Sequence, residues 1–248
     1  MSTNETPLTM TGWSEVIHFH QKTLRKKVDT HLRKDQPSSI IRKQFSETDE
    51  KVLILAAKQG NVEAFNQLVS AYQDRLFTQA YYILGDRMAA EDAVQEAFLS
   101  AYRSFKTYRG GSLRGWFFRI VTNKCLDELR NGKHTLETDF TEDDEWLRGI
   151  DSLSWPDNSG ETPEDCIIRN ETERYMLRCL NHLPTQYRIA IVLVDIFEMH
   201  YREAGKIMGC PVGTVKSRLA RARLQMRCFL RNHGGIASQL FNKEEIDK

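Results

Sequence analysis

The segment YREAGKIMGCPVGTVKSRLARAR, residues 201–223, decides the fold of the carboxyl-terminal part of the chain. Its first third predicts a short helix, because its apolar residues recur at helical spacing. Gly209 is expected to end that helix, since glycine adopts the left-handed conformation of a helix carboxyl terminus at little cost. After Pro211 a second helix is expected to begin near Gly213 or Thr214, which makes the segment a helix-turn-helix.

The second predicted helix has an apolar inner face and a basic outer face. From Tyr201 to Arg231 there are eight Lys and Arg residues against one acidic residue, Glu203. A helix of this charge fits the major groove of DNA, with its first residues near the bases and its arginines on phosphates. The alternative is a solvated basic face on a structural helix. The inner residues are Val215, Leu219 and Ala222, and the outer ones are Lys216, Ser217, Arg218, Arg221 and Arg223.

Three further apolar stripes precede this segment and also recur at helical spacing. Gly85-Asp86 separates the first stripe from the second, and Gly110-Gly111 separates the second from the third. Such stripes are buried against one another, so we predict a compact helical bundle. Their residues are Phe65, Leu68, Val69, Tyr72, Leu76, Ala80 and Leu84, then Ala90, Ala93, Val94, Ala97, Phe98, Ala101, Tyr102 and Phe105, then Leu113, Trp116, Phe117, Ile120, Val121 and Cys125.

Charge and composition divide the chain into segments, although the formal net charge is only +1. Between residues 22 and 43 there are eight Lys and Arg residues against two Asp, which marks a basic extension. Between residues 134 and 165, eleven acidic residues accompany one Arg, which is typical of a flexible linker. We predict an all-α fold with a basic extension at 1–48, a helical domain at 49–133, an acidic linker at 134–168, a second helical domain at 169–232 and a tail at 233–248. The apolar residues expected in the second domain's core are Leu177, Leu180, Leu183, Ile189, Val192, Leu193, Ile196 and Phe197.

The composition argues against several classes of protein. There is no apolar run of about 18 residues, and residues 1–11 lack the features of a signal peptide, so we expect a cytoplasmic protein without a membrane span. The five cysteines are odd in number and no two are spaced as C-x-x-C, which argues against disulfides and zinc. His18 and His20 form too short a motif to predict a metal site. We expect no cofactor.

The helix predicted from the third stripe carries polar residues on its opposite side. These residues are Arg119, Asn123 and Arg130. Asparagine can hydrogen-bond the edge of an unpaired base, and aromatic side chains can stack on it. Trp116 and Phe117 have the spacing of core residues, whereas Phe118 lies off the stripe and is expected to be exposed.

The helix predicted from the second stripe is acidic on its opposite side. The residues there are Glu91, Asp92, Gln95 and Glu96. From charge alone, a solvated face is the favoured interpretation. The alternative is a surface that docks a basic protein partner.

Three blocks of the sequence, taken in order, resemble the group IV, or extracytoplasmic-function, sigma factors of bacterial RNA polymerase. The blocks are AAEDAVQEAFLSAYRSF at 89–105, SLRGWFFRIVTNKCLDELR at 112–130 and LPTQYRIAIVLVDIFEMHYREAGKIMGCPVGTVKSRLARAR at 183–223. The resemblance extends from about Asp49 to Asn232 and includes the acidic linker and the helix-turn-helix. It implies a sigma factor that binds core polymerase, recognises the minus-thirty-five and minus-ten elements and promotes DNA opening. Such a protein has no catalytic group, since the chemistry belongs to polymerase.

The resemblance also implies roles for individual residues. The block of Asp92, Gln95 and Glu96 matches the surface that binds the clamp helices of the polymerase largest subunit. The segment from 109 to 130 matches the part that opens the minus-ten element and captures a flipped base, and the loop before Leu113 resembles the specificity loop. The carboxyl-terminal domain matches the part that reads the minus-thirty-five element and touches the polymerase flap. An anti-sigma factor is a further candidate partner. The expected minus-ten contacts are Phe118, Arg119, Asn123 and Arg130, and the expected minus-thirty-five contacts are Thr214, Lys216, Ser217, Arg218 and Arg221.

Two features depart from the family pattern, and two rival functions stay open. Gly205 stands where the family usually has alanine, which we expect to loosen the first helix of the helix-turn-helix slightly. The basic run that often ends the first domain is reduced to Arg130 and Lys133.

The leading rival is a helix-turn-helix regulator that binds an operator without polymerase. The other is an enzyme with a nucleophilic cysteine, against which no cysteine has an obvious histidine partner in the sequence.

Overall fold

The computed structural model describes residues 47–131 and 175–233, and every regular element within these ranges is helical. The predicted all-α fold is therefore confirmed over the described residues. None of the helices found there is long and apolar enough to cross a membrane. The whole of the predicted acidic linker lies outside the described residues, as do residues 1–46 of the basic extension and residues 234–248 of the tail. His18, His20 and Cys166 are among these residues.

The helices form two groups along the chain. The first group contains α1 (Glu47–Lys58), α2 (Val62–Leu84), α3 (Arg87–Ser104), a 3₁₀ turn (Phe105–Thr107) and α4 (Leu113–Arg130). The second group contains α5 (175–181), α6 (Thr185–Ile191), a π-helical turn (Val192–Ile196) that continues α6, α7 (Tyr201–Met208) and α8 (Val212–His233).

Local sequence explains where the helices of the first group begin and end. Gly85 ends α2 in the left-handed conformation, with φ of 78°. Asp86 begins α3, and its side chain accepts a hydrogen bond from the Ala89 backbone at 2.8 Å. Ser112 begins α4 in the same way, with a bond from the Gly115 backbone at 3.0 Å. Each such cap stabilises its helix by about 1 kcal/mol.

The first bundle is built by α2, α3 and α4 around aromatic and aliphatic side chains. Phe117 lies at its centre, with its ring 5.3 Å from that of Tyr72 and 6.0 Å from that of Phe98. The apolar stripes predicted for these helices are buried or half-buried, with one exception. Tyr102 is 47% exposed, although its ring packs edge-on against Phe65.

A buried polar contact fixes how α4 lies on α2. Gln79 is fully buried, and its Nε2 donates to the Phe118 carbonyl at 3.1 Å and to Thr122 Oγ1 at 2.7 Å. Thr122 in turn donates to the same carbonyl at 2.8 Å. These directional bonds select one rotation of α4 about its axis, which sets the residues that face outward.

The second bundle packs α8 against α6 and α7. All the core residues predicted for this domain are buried, and so are the predicted inner residues of the helix-turn-helix. Gly209 ends α7 with φ of 62°, as predicted, and α8 begins at Val212, one residue before the predicted start. Gly205 does not simply loosen α7: a Cβ atom there would lie 2.9 Å from the Cys210 carbonyl, so the tight turn requires glycine.

The two bundles pack against each other, and their buried apolar residues form one continuous cluster. Arg188 joins them from α6. It is 5% exposed, and its Nη1 donates to the Ile83 carbonyl of α2 at 2.7 Å, while Nη2 bonds the carbonyls of Asn181 and Leu183. Burial lowers the pKa of this guanidinium to about 10, so it remains charged at neutral pH.

Candidate nucleic-acid interface

The outward face of α8 carries an exposed basic strip near the start of the helix. Lys216, Ser217 and Arg221 are exposed, and Thr214 and Arg218 are partly exposed. Buried Val215 and Leu219 anchor the opposite side of the helix, so the strip is held rigidly. All five residues predicted to contact the minus-thirty-five element therefore lie at least partly at the surface.

The charged ends of three of these side chains contact other residues of the second bundle. Lys216 Nζ lies 5.7 Å from the centre of the Tyr201 ring, and Arg221 Nη1 lies 3.5 Å from the Tyr187 hydroxyl. Arg218 Nη1 lies 3.7 Å from the Cys210 sulfur. None of these three contacts involves a carboxylate, so each cation keeps its charge available for a phosphate.

Arg223, predicted further along the same outer face, has a side chain that is 44% exposed, and it is paired with a carboxylate. Its guanidinium donates two hydrogen bonds to the buried carboxylate of Asp195, from Nε at 3.0 Å and from Nη2 at 2.6 Å. The hydrogen bond with Asp195 raises the pKa of Arg223. This bidentate pair ties α8 to the π-helical turn and is a structural contact.

Three of the residues predicted to contact the minus-ten element lie exposed along α4. They are Arg119, Asn123 and Arg130. Arg130 lies 3.5 Å from Asp127 in an exposed pair, which holds it weakly. Asn123 projects from the side of α4 opposite the buried Val121 and Cys125, so its amide is free to meet a base edge.

Phe118 was predicted to be exposed, and this prediction is wrong. The side chain is 0% exposed, and its ring packs edge-on against Phe197 of the second bundle at 4.9 Å. Arg114 lies over the same ring, 5.4 Å from its centre. The stripe that contains Phe117 identifies only the face of α4 that the first bundle buries, whereas the second bundle buries the neighbouring face.

The outward face of α3 combines the predicted acidic residues with apolar side chains that sequence reasoning missed. Asp92, Gln95 and Glu96 are exposed, and Glu96 pairs with Lys124 of α4 at 3.0 Å. The missed residues are Met88, 75% exposed, Leu99, 57% exposed, and Tyr102. Met88, Leu99 and Tyr102 are three or four residues from Asp92 or Gln95, or from each other. This helical spacing places them on the same face as the acidic residues, and it could have identified them from the sequence. We call Met88, Asp92, Gln95, Glu96, Leu99 and Tyr102 the α3 surface.

Two of the described cysteines, Cys125 and Cys179, are buried and are not placed as reactive thiols. Cys125 and Cys179 are buried, and burial raises the pKa of the Cys179 thiol to about 12. Such a thiol is protonated at neutral pH and is a poor nucleophile. Over residues 47–131 and 175–233, no three His, Cys, Asp or Glu side chains are grouped so that they could hold a metal ion.

Two helical bundles, the second ending in a helix-turn-helix with an exposed basic strip, define a class of DNA-binding protein. The family models for sigma-70 region 2 and sigma-70 region 4 match residues 68–135 and 173–226, which include most of the first and of the second bundle. The ECF RNA polymerase sigma factor SigW of Bacillus subtilis is 34% identical over 185 residues, covering 73% of this chain and 97% of SigW. The ECF RNA polymerase sigma factor SigE of Mycolicibacterium smegmatis is 30% identical over 210 residues, covering 84% of this chain and 78% of SigE.

The chain therefore belongs to the sigma-70 family, as a sigma factor of the ECF type. It is a sigma factor of RNA polymerase that directs promoter recognition and transcription initiation, and it is not an enzyme. The fold is similar to that of CnrH in complex with the cytosolic domain of CnrY, with a TM-score of 0.54 and 26% identity. That likeness covers 74% of this chain and 97% of CnrH.

Proposed function

We propose that this sigma factor uses three separate surfaces, one each for the minus-thirty-five element, the minus-ten element and core polymerase. The observation that carries the proposal is the exposure of three chemically different faces on three helices. The face of α8 is basic, that of α4 combines cations with an amide, and that of α3 is acidic and apolar. The proposed partners are therefore promoter DNA and core polymerase, and the proposed location is the cytoplasm.

The basic strip on α8 is suited to the minus-thirty-five element. Lys216, Ser217 and Arg221 project from the first half of a helix that the bundle supports from behind. The first residues of such a helix approach base edges in the major groove, and the arginines that follow contact phosphates. Thr214 and Arg218 stand beside them and complete the proposed contacts. The same domain would touch the polymerase flap.

The exposed side of α4 is suited to the non-template strand of the minus-ten element. Asn123 can pair with the edge of an unstacked base, and Arg119 and Arg130 can contact the backbone on either side. Unstacking a base costs a few kcal/mol, which these contacts would return. Phe118 belongs to this set only once the second bundle no longer covers it.

The α3 surface is suited to the clamp helices of the polymerase largest subunit. Met88, Leu99 and Tyr102 are exposed apolar side chains on one face of α3, and a contiguous exposed apolar patch is typical of a protein contact. The carboxylates of Asp92 and Glu96 beside them would favour a basic partner. We also propose an anti-sigma factor as a partner, which is supported by the similarity to CnrH, whose structure contains the cytosolic domain of CnrY.

Run-off transcription with sigma-free core polymerase on a library of genomic promoters tests this proposal. Discrete start sites that require the protein and share two upstream elements are expected. Asn123→Ala should lower initiation on templates whose minus-ten element is duplex. On templates opened beforehand, the variant should initiate as wild type does. Arg221→Ala should instead weaken initiation only where a minus-thirty-five element is present.

Lys51→Ala is the matched control, because Lys51 is an exposed cation of α1 outside the three surfaces. It should leave initiation unchanged on every template. Equal losses in Arg221→Ala on templates with and without the upstream element would contradict the role proposed for α8.

A further inference from the structure

The outer face of α1 is apolar, although α1 lies at the surface of the first bundle. The helix contains the uninterrupted apolar run VLILAA at residues 52–57. One side of this run packs against the core through Leu53 and Ala57. Val52 and Leu55, three residues apart on the other side, are each 61% exposed. A surface helix usually carries polar residues on its outer side, so a helix that is apolar all round indicates a second contact.

The charges close to this face in the sequence are mainly acidic. Between residues 47 and 63 there are four acidic residues against two lysines. Asp49 of α1 and Glu63 of α2 are both exposed. Gln59, which follows Leu55 on the outer side of α1, is exposed and uncharged. The face therefore fits a partner with an apolar stripe and with cations beside that stripe.

The basic extension, which precedes the described residues, has this chemistry in its sequence. Four of its apolar residues are spaced by four, seven and four positions, which places them within about 60° of one another around a helix. Cations occupy the opposite side and both borders of this stripe. The stripe is Trp13, Ile17, Leu24 and Val28, the opposite cations are Lys22, Lys26 and Arg33, and the border cations are Arg25 and Lys27. Such a pattern predicts an amphipathic helix, whose apolar side requires a surface to cover it.

The chain between this stripe and α1 is long enough to let the segment fold back. Pro37-Ser38-Ser39 lies in this connection and predicts a turn. The connection at 33–46 spans up to about 46 Å when extended, whereas α1 is about 18 Å long. A segment tethered in this way meets the face at an effective concentration on the order of millimolar, so a small apolar contact is sufficient to hold it.

We infer that residues 13–32 of the basic extension dock on the outer face of α1, with their apolar stripe against Val52 and Leu55. The cations at the borders of the stripe then lie beside the acidic residues around α1, and the opposite cations face solvent. Docking buries the exposed apolar side of α1 and the apolar stripe of the extension in one contact. This contact is separate from the three surfaces of the proposed function, none of which contains a residue of α1.

Photocrosslinking of the free full-length chain tests the docking. With p-benzoylphenylalanine in place of Leu55, irradiation should give crosslinks that mass spectrometry assigns to residues 13–32 of the same chain. The matched control carries the probe in place of Leu99, which is 57% exposed on α3, and should give no crosslink to that segment. Crosslinks from position 55 that join two chains would assign the face to a second copy and overturn the docking. Absence of crosslinks to residues 13–32 would overturn it as well.

Hydrogen exchange provides a second measurement without a bulky probe. Leu55→Glu places a carboxylate in the apolar contact, so the amides of residues 13–32 should exchange at least about tenfold faster than in wild type. Leu99→Glu should leave their exchange unchanged.

Two results of this measurement would overturn the docking. One is exchange of residues 13–32 in wild type at the rate of an unfolded peptide, and the other is protection that Leu55→Glu does not reduce. If Leu55→Glu loses helical circular dichroism, Trp13→Glu replaces it, because that position lies outside both bundles. Trp13→Glu should then speed exchange at residues 24–32, and unchanged exchange there would overturn the docking. Neither measurement contains polymerase or DNA, so its outcome is independent of the proposed function.

Discussion

At the scale of single residues, Gly205 shows how a close backbone contact can override helix propensity. Alanine would favour α7 by about 1 kcal/mol on propensity alone. Its Cβ, however, would lie 2.9 Å from the Cys210 carbonyl, and a backbone atom in a tight turn cannot move away cheaply. We expect Gly205→Ala to lower the free energy of unfolding by about 1–3 kcal/mol in urea titrations.

Gly213 provides the control for this prediction. It lies in the first turn of α8, and nothing lies within 4 Å of its Cβ position. Gly213→Ala should leave the protein as stable as wild type or stabilise it by up to about 1 kcal/mol. A stabilising effect of Gly205→Ala would show that the turn adapts and that the contact is not the reason for glycine.

The pair of Asp195 and Arg223 shows that a cation in a basic segment can be bound by a buried carboxylate of the same domain. Removing the buried carboxylate leaves the guanidinium without two charge-assisted hydrogen bonds. We expect Asp195→Asn to destabilise the second bundle by about 1–3 kcal/mol in thermal unfolding. Arg221 is exposed, and its contact in the described part of the chain is with the Tyr187 hydroxyl. Arg221→Ala should therefore change stability by less than about 0.5 kcal/mol. Equal effects of the two variants would mean that the ion pair adds little to stability.

The buried thiol of Cys179 is expected to make the free energy of unfolding fall as the pH rises in the alkaline range. Burial raises its pKa to about 12, whereas an unfolded cysteine titrates near about 8.5. The unfolded chain therefore loses this proton first, so the contribution is fully present below about pH 8.5 and is lost as the pH rises toward 12. Between pH 8 and 10, Cys179→Ala should lose about 1–2 kcal/mol less stability than wild type in urea titrations. Cys228→Ala, at an exposed position, should follow the wild-type pH dependence.

At the scale of helices, a substitution on the α3 surface is expected to change the affinity for core polymerase without changing the free energy of unfolding. Leu99 is 57% exposed in the folded protein, so Leu99→Ser should change the free energy of unfolding by less than about 0.5 kcal/mol. If the surface docks on core polymerase, the same variant should weaken holoenzyme formation about tenfold, as measured by fluorescence anisotropy. Val62→Ser changes an apolar residue of α2 that is 50% exposed, and it should leave the affinity unchanged. Parallel losses in both variants would indicate a general loss of solubility rather than a docking surface.

The apolar stripes of single helices were predictable from sequence, because each stripe is the side of the helix that packs against its own bundle. Leu68, Leu76 and Phe117 carry that periodicity and are buried. Phe118 could not be placed in this way, because it is covered by Phe197, nearly eighty residues further along the chain. The pairing of Arg223 could not be predicted for the same reason, since its partner Asp195 belongs to another element. Local patterns give the helices and the charge of their faces, but not which faces meet.

At the scale of the whole molecule, the two bundles are joined by contacts that differ in kind. Apolar packing between Phe118 and Phe197 accompanies the hydrogen bond from Arg188 to the Ile83 carbonyl and the close approach of Asn181 to Gly85. A Cβ atom at Gly85 would lie 2.6 Å from the Asn181 side chain, so this corner too depends on glycine. Because one apolar cluster continues through both bundles, unfolding either exposes part of the other.

This continuity predicts how the molecule unfolds. Wild type should show a single calorimetric transition, since the bundles stabilise each other across the shared contact. Phe197→Ala removes the aromatic side chain at that contact and should split the transition in two, with the second bundle unfolding at the lower temperature. Phe65→Ala creates a cavity inside the first bundle, where the ring lies 5.2 Å from that of Phe105, and should lower the melting temperature without splitting the transition. Two separate transitions already in wild type would mean that the bundles unfold independently and that the contact between them contributes little to stability.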